Sequence, residues 1–262
     1  MNYKELTKQV VDIAREAGQY IRNNRKSIHK IESKGVHNYV TEIDKNSEKF
    51  IISELQKLIP DSGFIAEEQT ETRQSENFNW IVDPLDGTTN FIHGLMPVAV
   101  SIALQEKGQT VLGVVYEIGA DEAFYAYQGG GAFLNGEKIS VTKTSDIDET
   151  LLATGFPFYD YSRLDRYMDL LKHFMQTSHG LRRLGSAATD LVYVACGRFD
   201  GFFEYSLSPW DVAAGAFIVE QAGGKVADFR GGNNWLFGKE IIASNPYVFA
   251  KLVETIKKIM YG

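Results

Sequence analysis

Leu6, Val10, Ile13, Ala14, Ala17 and Ile21 recur at intervals of three and four. That spacing places them on one helical face and predicts an amphipathic helix over residues 3–24. A polar, basic stretch follows to about Lys34. Phe50, Ile51, Leu55, Leu58 and Ile59 resume the helical period, with Asp44 placed as N-cap and Pro60 as the stop. Phe64-Ile65-Ala66 reads as a short strand that delivers Glu67 and Glu68, and the polar residues 69–77 as an exposed loop. From Pro97 to Ile139 the period falls to two. Val98, Val100, Ile102 and Leu104 alternate with small or polar partners, Lys107-Gly108-Gln109 turns the chain, and Asn135-Gly136 is a strong hairpin signal. An antiparallel meander is expected there.

The second half alternates between periods. Helices are expected at 162–176, 186–195, 210–222 and 247–260, with strands near 181–184, 199–205, 225–229 and 241–244. Gly197 and Gly223-Gly224 supply helix stops. Helices layered on sheets follow, within one domain over residues 1–262 made of subdomains 1–145 and 146–262. No internal repeat or low-complexity linker interrupts it.

At 262 residues, with 44% hydrophobic and 23% charged side chains, the chain has the composition of a soluble globular protein. A net charge of −7 argues against a nucleic-acid polymer as partner, and it makes an anionic substrate awkward unless a cation is bound. Cys196 is the one cysteine, so an intrachain disulfide and a multi-cysteine zinc site are excluded; its apolar neighbours suggest core packing. Met1 to Lys8 is polar, and no apolar run reaches the ~18 residues of a membrane span. A cytoplasmic location with no membrane partner is the expectation.

The chemistry is concentrated in Trp80-Ile81-Val82-Asp83-Pro84-Leu85-Asp86-Gly87-Thr88-Thr89-Asn90-Phe91. Two carboxylates lie three residues apart across a proline, at the end of an apolar strand. Buried aspartates are costly unless something positive meets them. Their all-oxygen donor set suits a hard cation such as Mg²⁺, Mn²⁺ or Ca²⁺. Gly87, Thr88 and Thr89 bring backbone N–H groups where an anion can sit. The same residues are also good turn formers, so the turn alone does not decide. Asp211, in Trp210-Asp211-Val212-Ala213-Ala214, stands in the first turn of an apolar helix and is a ligand candidate. Strand alternation lets one of Glu67 and Glu68 point inward. Asp44, in Val40-Thr41-Glu42-Ile43-Asp44, reads equally as an N-cap.

Together with Gly185-Ser186-Ala187-Ala188, these motifs span nearly the whole chain, and their order and spacing resemble the inositol monophosphatase family of Mg²⁺-dependent, lithium-sensitive phosphatases. The resemblance implies an α+β fold, a layered α-β-α-β-α sandwich with the site at the junction of its two halves. It implies two to three Mg²⁺ ions: Glu67, Asp83 and the Leu85 carbonyl on one, Asp83, Asp86 and Asp211 on a second, and a weaker third against Glu67. Gly87 and Thr88 would cradle the phosphate by their backbone N–H groups. Thr88 with Asp44 would orient or deprotonate the attacking water, with Glu67 counted in the catalytic set. Glu204 would contact a substrate hydroxyl, and Ala187 would line the same site. A homodimer is implied as well.

Phosphate monoesters need up to ~10²¹-fold acceleration, and paired cations can activate water on one side while stabilising the leaving oxygen on the other. The expected activity is therefore Mg²⁺-dependent hydrolysis of a small phosphate monoester, inositol monophosphate foremost, without a covalent intermediate. His93 reads as structural or substrate-facing. Two departures bear on substrate: Asn38-Tyr39 stands where many relatives carry Asp-Leu, in a loop that approaches the site, and Phe156-Pro157-Phe158-Tyr159 resembles the aromatic substrate loop of broader-specificity relatives. Arg182, with Arg183, could meet a second phosphate or simply form a surface patch. Fructose 1,6-bisphosphate, the 2′-phosphate of NADP(H) and a 3′-phosphonucleotide are the alternative substrates. A catalytically silent, metal-dependent phosphate-binding regulatory protein is the alternative of another class.

Overall fold

Helix α1 (Tyr3–Asn24) carries the predicted apolar stripe, and Leu6, Val10, Ile13, Ala14, Ala17 and Ile21 are all buried. The computed structural model describes residues 1–25, 31–35, 38–157 and 159–262, with only the backbone course given for 31–35 and 38–41. Strands β1 (Ile31–Gly35) and β2 (Asn38–Thr41) pair as an antiparallel hairpin that the sequence pattern did not suggest. Val36 and His37, inside the departing loop, lie outside the described residues, as does Phe158. Helix α2 (Glu42–Leu58) begins two residues before the expected N-cap, so Asp44 sits inside its first turn and is fully buried.

Seven strands then form one sheet: β3 (Gly63–Ala66), β4 (Phe78–Asp86), β5 (Ala99–Glu106), β6 (Gln109–Glu117), β7 (Glu122–Tyr127), β8 (Gly131–Leu134) and β9 (Glu137–Ile139), in sequence order across the sheet. All pair antiparallel except β3 with β4. A six-residue helix, α3 (Thr88–His93), follows β4. Five further strands make the second sheet, ordered β11-β10-β12-β14-β13: β10 (Leu151–Thr154), β11 (Gly180–Arg182), β12 (Gly201–Tyr205), β13 (Lys225–Ala227) and β14 (Glu240–Ser244). Helices α4 (Leu164–Thr177), α5 (Ala187–Ala195), α6 (Pro209–Gln221) and α7 (Phe249–Tyr261) complete the chain.

Three apolar clusters stack these elements into the five-layer α-β-α-β-α sandwich. Trp80, Val82, Ile102 and Val114 face α1 and α2 on one side of the first sheet. Ile81, Ala99, Ala103 and Val115, on its other side, meet α5 and α6. Those two helices also cover Ala153, Phe202, Ile241 and Ala243 of the second sheet. Leu152, Phe203, Tyr205 and Ile242 turn outward onto α4 and α7. Consecutive residues of β4 therefore serve different cores, as strand alternation requires. The middle helices are apolar all round because sheets flank them on both sides. Among the described residues no helix is long and apolar enough to cross a membrane.

Candidate active site

The proline motif forms a bulge where a turn was expected. Strand β4 continues through Pro84 to Asp86; Asp83 pairs with Ser101 and Asp86 with Ala99, so β4 spends three steps where β5 spends two. In a regular strand, residues three apart face opposite sides of the sheet. One inserted residue restores the parity and brings both carboxylates to the same pocket. Pro84 is tolerated there because an extra bulge residue owes the ladder no N–H.

Asp83 is 2% exposed, and its Oδ1 accepts the Leu85 N–H at 2.9 Å. Asp86 is gripped by the start of α5: its Oδ2 accepts Ser186 Oγ–H at 2.6 Å and the Ala188 N–H at 2.8 Å. Asp211, in the first turn of α6, accepts the Ser208 N–H on Oδ2 at 2.7 Å, so it caps its helix and faces the pocket at once. One carboxylate oxygen from each of these three residues lies within 4.8 Å of the others. Glu67 leaves β3 beside them, its N–H donating to the Val82 carbonyl at 3.2 Å, and it lines the same pocket.

The electrostatics show what this cluster lacks. Burial, then repulsion from Glu67, Asp86 and Asp211, pushes Asp83 well above the usual carboxylate range. Burial raises Asp211 likewise, with Asp86 and Glu67 adding to it. Asp86 is pushed up to about 6 by burial, against the lowering effect of Ser186, the α5 backbone and Arg183. Converging acids of this kind, with oxygen donors only, fit one or more hard cations. The expected ligand set Glu67, Asp83, Leu85, Asp86 and Asp211 all lines one pocket.

The remaining expected residues sort clearly. Gly87 has φ +92°, and a β-carbon there would stand 3.1 Å from the Pro97 carbonyl oxygen and 3.2 Å from that of Gly185. Only glycine suits both constraints. Thr88 Oγ1 lies 3.1 Å from both Asp44 Oδ1 and the Leu85 carbonyl oxygen, which joins α2 to the pocket through one hydroxyl. Ala187 and Glu204 line the opposite wall, and Glu204 is raised well above its ordinary range by burial and then by Asp211. Arg182 is a correction: it is exposed, and its Nη1 donates to the Leu181 carbonyl at 3.0 Å. Arg183 lines the pocket instead, with its guanidinium 5.2 Å from the Phe156 ring centre. Arg182 ends the edge strand β11 and Arg183 follows it, and the pattern Leu181-Arg182-Arg183 carries no signal for which of the two turns inward. His93 is exposed and outside the pocket lining. Sequence reasoning also missed Gly155. A β-carbon there would lie 2.0 Å from the Glu204 carboxyl, so the missing side chain is what gives Glu204 its place.

Residues 2–261 match the inositol monophosphatase family model. The chain belongs to that family. It is 42% identical over 250 residues to Escherichia coli (strain K12) Nus factor SuhB, which covers 94% of each chain. It is 39% identical over 252 residues to the inositol-1-monophosphatase of Mesorhizobium japonicum, covering 95% of each. The solved structure of extragenic suppressor protein suhB from Bartonella henselae superposes with a TM-score of 0.92 at 40% identity, over 97% of this chain and 99% of that one. Inositol monophosphatases are metal-dependent phosphatases, and the converging acids described above are the arrangement such chemistry needs. The names of relatives divide between an enzyme and a Nus factor, so membership fixes the family and leaves the substrate to the site.

Proposed function

We propose that this protein is a Mg²⁺-dependent phosphomonoesterase acting on inositol monophosphate or a comparable small polyol phosphate. The observation that carries the reading is the convergence of Asp83, Asp86 and Asp211, with Glu67 and the Leu85 carbonyl, on a pocket that also holds Gly87, Thr88 and Glu204. Glu67, Asp83 and the Leu85 carbonyl would hold one ion, Asp83, Asp86 and Asp211 a second, and Glu67 a weaker third. When bound, Mg²⁺ offsets the charge of a phosphate dianion and acidifies water at neutral pH. The Gly87 and Thr88 N–H groups, at the start of α3, hold the phosphate oxygens. Thr88 Oγ takes a proton from the attacking water as it passes its own to Asp44 Oδ1, a relay set by their 3.1 Å contact. Glu204 and Ala187 meet the rest of the substrate. No cysteine or histidine lines the pocket among the described residues, which favours direct attack by water over a covalent phospho-enzyme.

Arg183 opens the alternative substrates. Its place beside Phe156 and opposite the acids would suit a second anionic group, as in fructose 1,6-bisphosphate, NADP⁺ or 3′-phosphoadenosine 5′-phosphate. Phosphate release from these and from inositol 1-phosphate, with and without Mg²⁺, tests the proposal. Mg²⁺-dependent release from inositol 1-phosphate above the others is expected; release indifferent to Mg²⁺ would overturn it. The relatives named as Nus factors support a second reading, a regulatory protein that binds metal and phosphate without turnover. Metal binding with no release from any substrate is the outcome that would select it. The phosphatase reading also carries inhibition by Li⁺, a homodimer and a cytoplasmic location.

A further inference from the structure

Three side chains on one face of α2 reach three separate arms of the site. Asp44, Ser47 and Glu48, at positions i, i+3 and i+4, are all fully buried. Asp44 accepts from Thr88 at 3.1 Å, and Ser47 Oγ–H donates to the Pro84 carbonyl, inside the bulge, at 3.4 Å. Glu48 reaches furthest from the phosphate side. Its Oε2 accepts the Glu68 N–H at 2.7 Å, while its Oε1 accepts the Thr70 N–H at 2.8 Å and the Thr70 hydroxyl at 2.7 Å. Between those two amides stands Gln69, at φ +55°, a left-handed conformation that a non-glycine residue adopts only when its surroundings impose it.

A buried carboxylate needs donors, and many placements could supply them. Among the described residues, its hydrogen-bond donors come from the segment immediately following Glu67. Glu67 itself is tied behind by its N–H bond to Val82, so the backbone is held on both sides of a ligand that lies just past the end of β3. We propose that Glu48 is a positioning residue for the metal site, fixing Glu67 by clamping the strained turn at Gln69. The inference rests on the reading of Glu67 as a metal ligand. Partners bonded directly to a ligand typically carry about 10–100-fold of metal affinity, and a clamp on the backbone beside the ligand is expected to act at the lower end of that range.

Glu48→Gln keeps the shape, removes one acceptor and sets an NH₂ group against an amide N–H. Mn²⁺ binding to the substrate-free protein, counted by the loss of free Mn²⁺ signal in electron paramagnetic resonance, is the primary measurement. The expected result is an affinity weakened by about 10-fold, with kcat at saturating Mg²⁺ changed far less than the Mg²⁺ concentration for half-maximal rate. Adding Gln69→Gly should restore part of the affinity, because glycine takes φ +55° unaided. If Glu48→Gln folds poorly, Thr70→Val removes the hydroxyl bond alone and should weaken Mn²⁺ in the same direction by less. Unchanged Mn²⁺ affinity in Glu48→Gln, with only the melting temperature lowered, would overturn the role and leave Glu48 as packing. A wild-type protein that binds no Mn²⁺ would instead overturn the metal-site reading beneath it.

Discussion

Two groups of buried acid in this protein have opposite solutions to the same electrostatic problem. Glu240, at the start of β14, is 6% exposed and meets Arg163 Nη1 at 2.5 Å, the Tyr261 hydroxyl at 2.7 Å and the Phe229 N–H at 3.2 Å. The chain carries its own cation there, and Arg163 is further sandwiched by the Tyr205 and Tyr261 rings. Asp83 is buried more deeply and meets other acids, while its Oδ1 accepts the backbone N–H of Leu85. A self-neutralised acid holds the second sheet to α4 and α7; an acid left in excess waits for charge from outside. Function sits where the fold declines to balance its own books.

The sharpest way to break this contrast is to neutralise one acid in each group. Asp83→Asn should lower Mg²⁺-dependent hydrolysis by more than about 10³-fold while leaving the metal-free protein at least as stable, since it removes a charge that burial and its neighbours oppose. Retained turnover, or a fall in the metal-free melting temperature, would contradict it. Glu240→Gln should do the reverse, costing about 2 kcal/mol in urea denaturation by stranding Arg163, with the rate per folded molecule unchanged.

Dependence on pH follows from the same asymmetry. Asp83, Asp86 and Asp211 are raised in the folded protein, so the folded state without metal holds protons that the unfolded chain has already released. Their contribution to stability is full below the ordinary carboxylate value of about 4 and is lost as pH climbs through the raised values, about 6 for Asp86. The metal-free melting temperature should therefore fall from pH 5 to pH 8. Mg²⁺ should raise it more at pH 8 than at pH 5; a Mg²⁺ effect equal at both would remove the basis of the comparison. The smallest effect expected separates the two arginines. Arg183→Ala should raise KM for a bisphosphate substrate several-fold, about 1 kcal/mol, while Arg182→Ala should leave KM unchanged in the same assay.

The sequence was legible where chemistry is local. Asp83, Asp86, Gly87 and Thr88 fall within six residues, and their motif survives any error in drawing elements around them. Helix α1 was legible because its apolar period is long and unbroken. Pro84 misled in an instructive way: proline after an apolar run reads as a turn, yet the chain stays in the sheet because β5 accommodates one extra residue. Strand β10 escaped notice because Leu151-Leu152-Ala153-Thr154 is four residues with no alternation, buried by partners far away in sequence. Helix α3 is too short to show a period. Gly155 and Glu48 were illegible for a shared reason. Each matters through what it adjoins in space, Glu204 for one and the Gln69 turn for the other, and no spacing along the chain encodes such a neighbour.

Asp211 rides on α6, whose Val212, Ala213, Ala214, Ala216, Phe217, Ile218 and Val219 are buried between the two sheets. A helix apolar on every side has no stable place in water until both sheets have closed over it. A half-finished chain could bring Asp83 and Asp86 together, three residues apart, and still lack the third carboxylate that arrives more than a hundred residues later. A molecule whose second half has not docked therefore cannot bring the three carboxylates together, and the acidic pocket exists only in the finished fold.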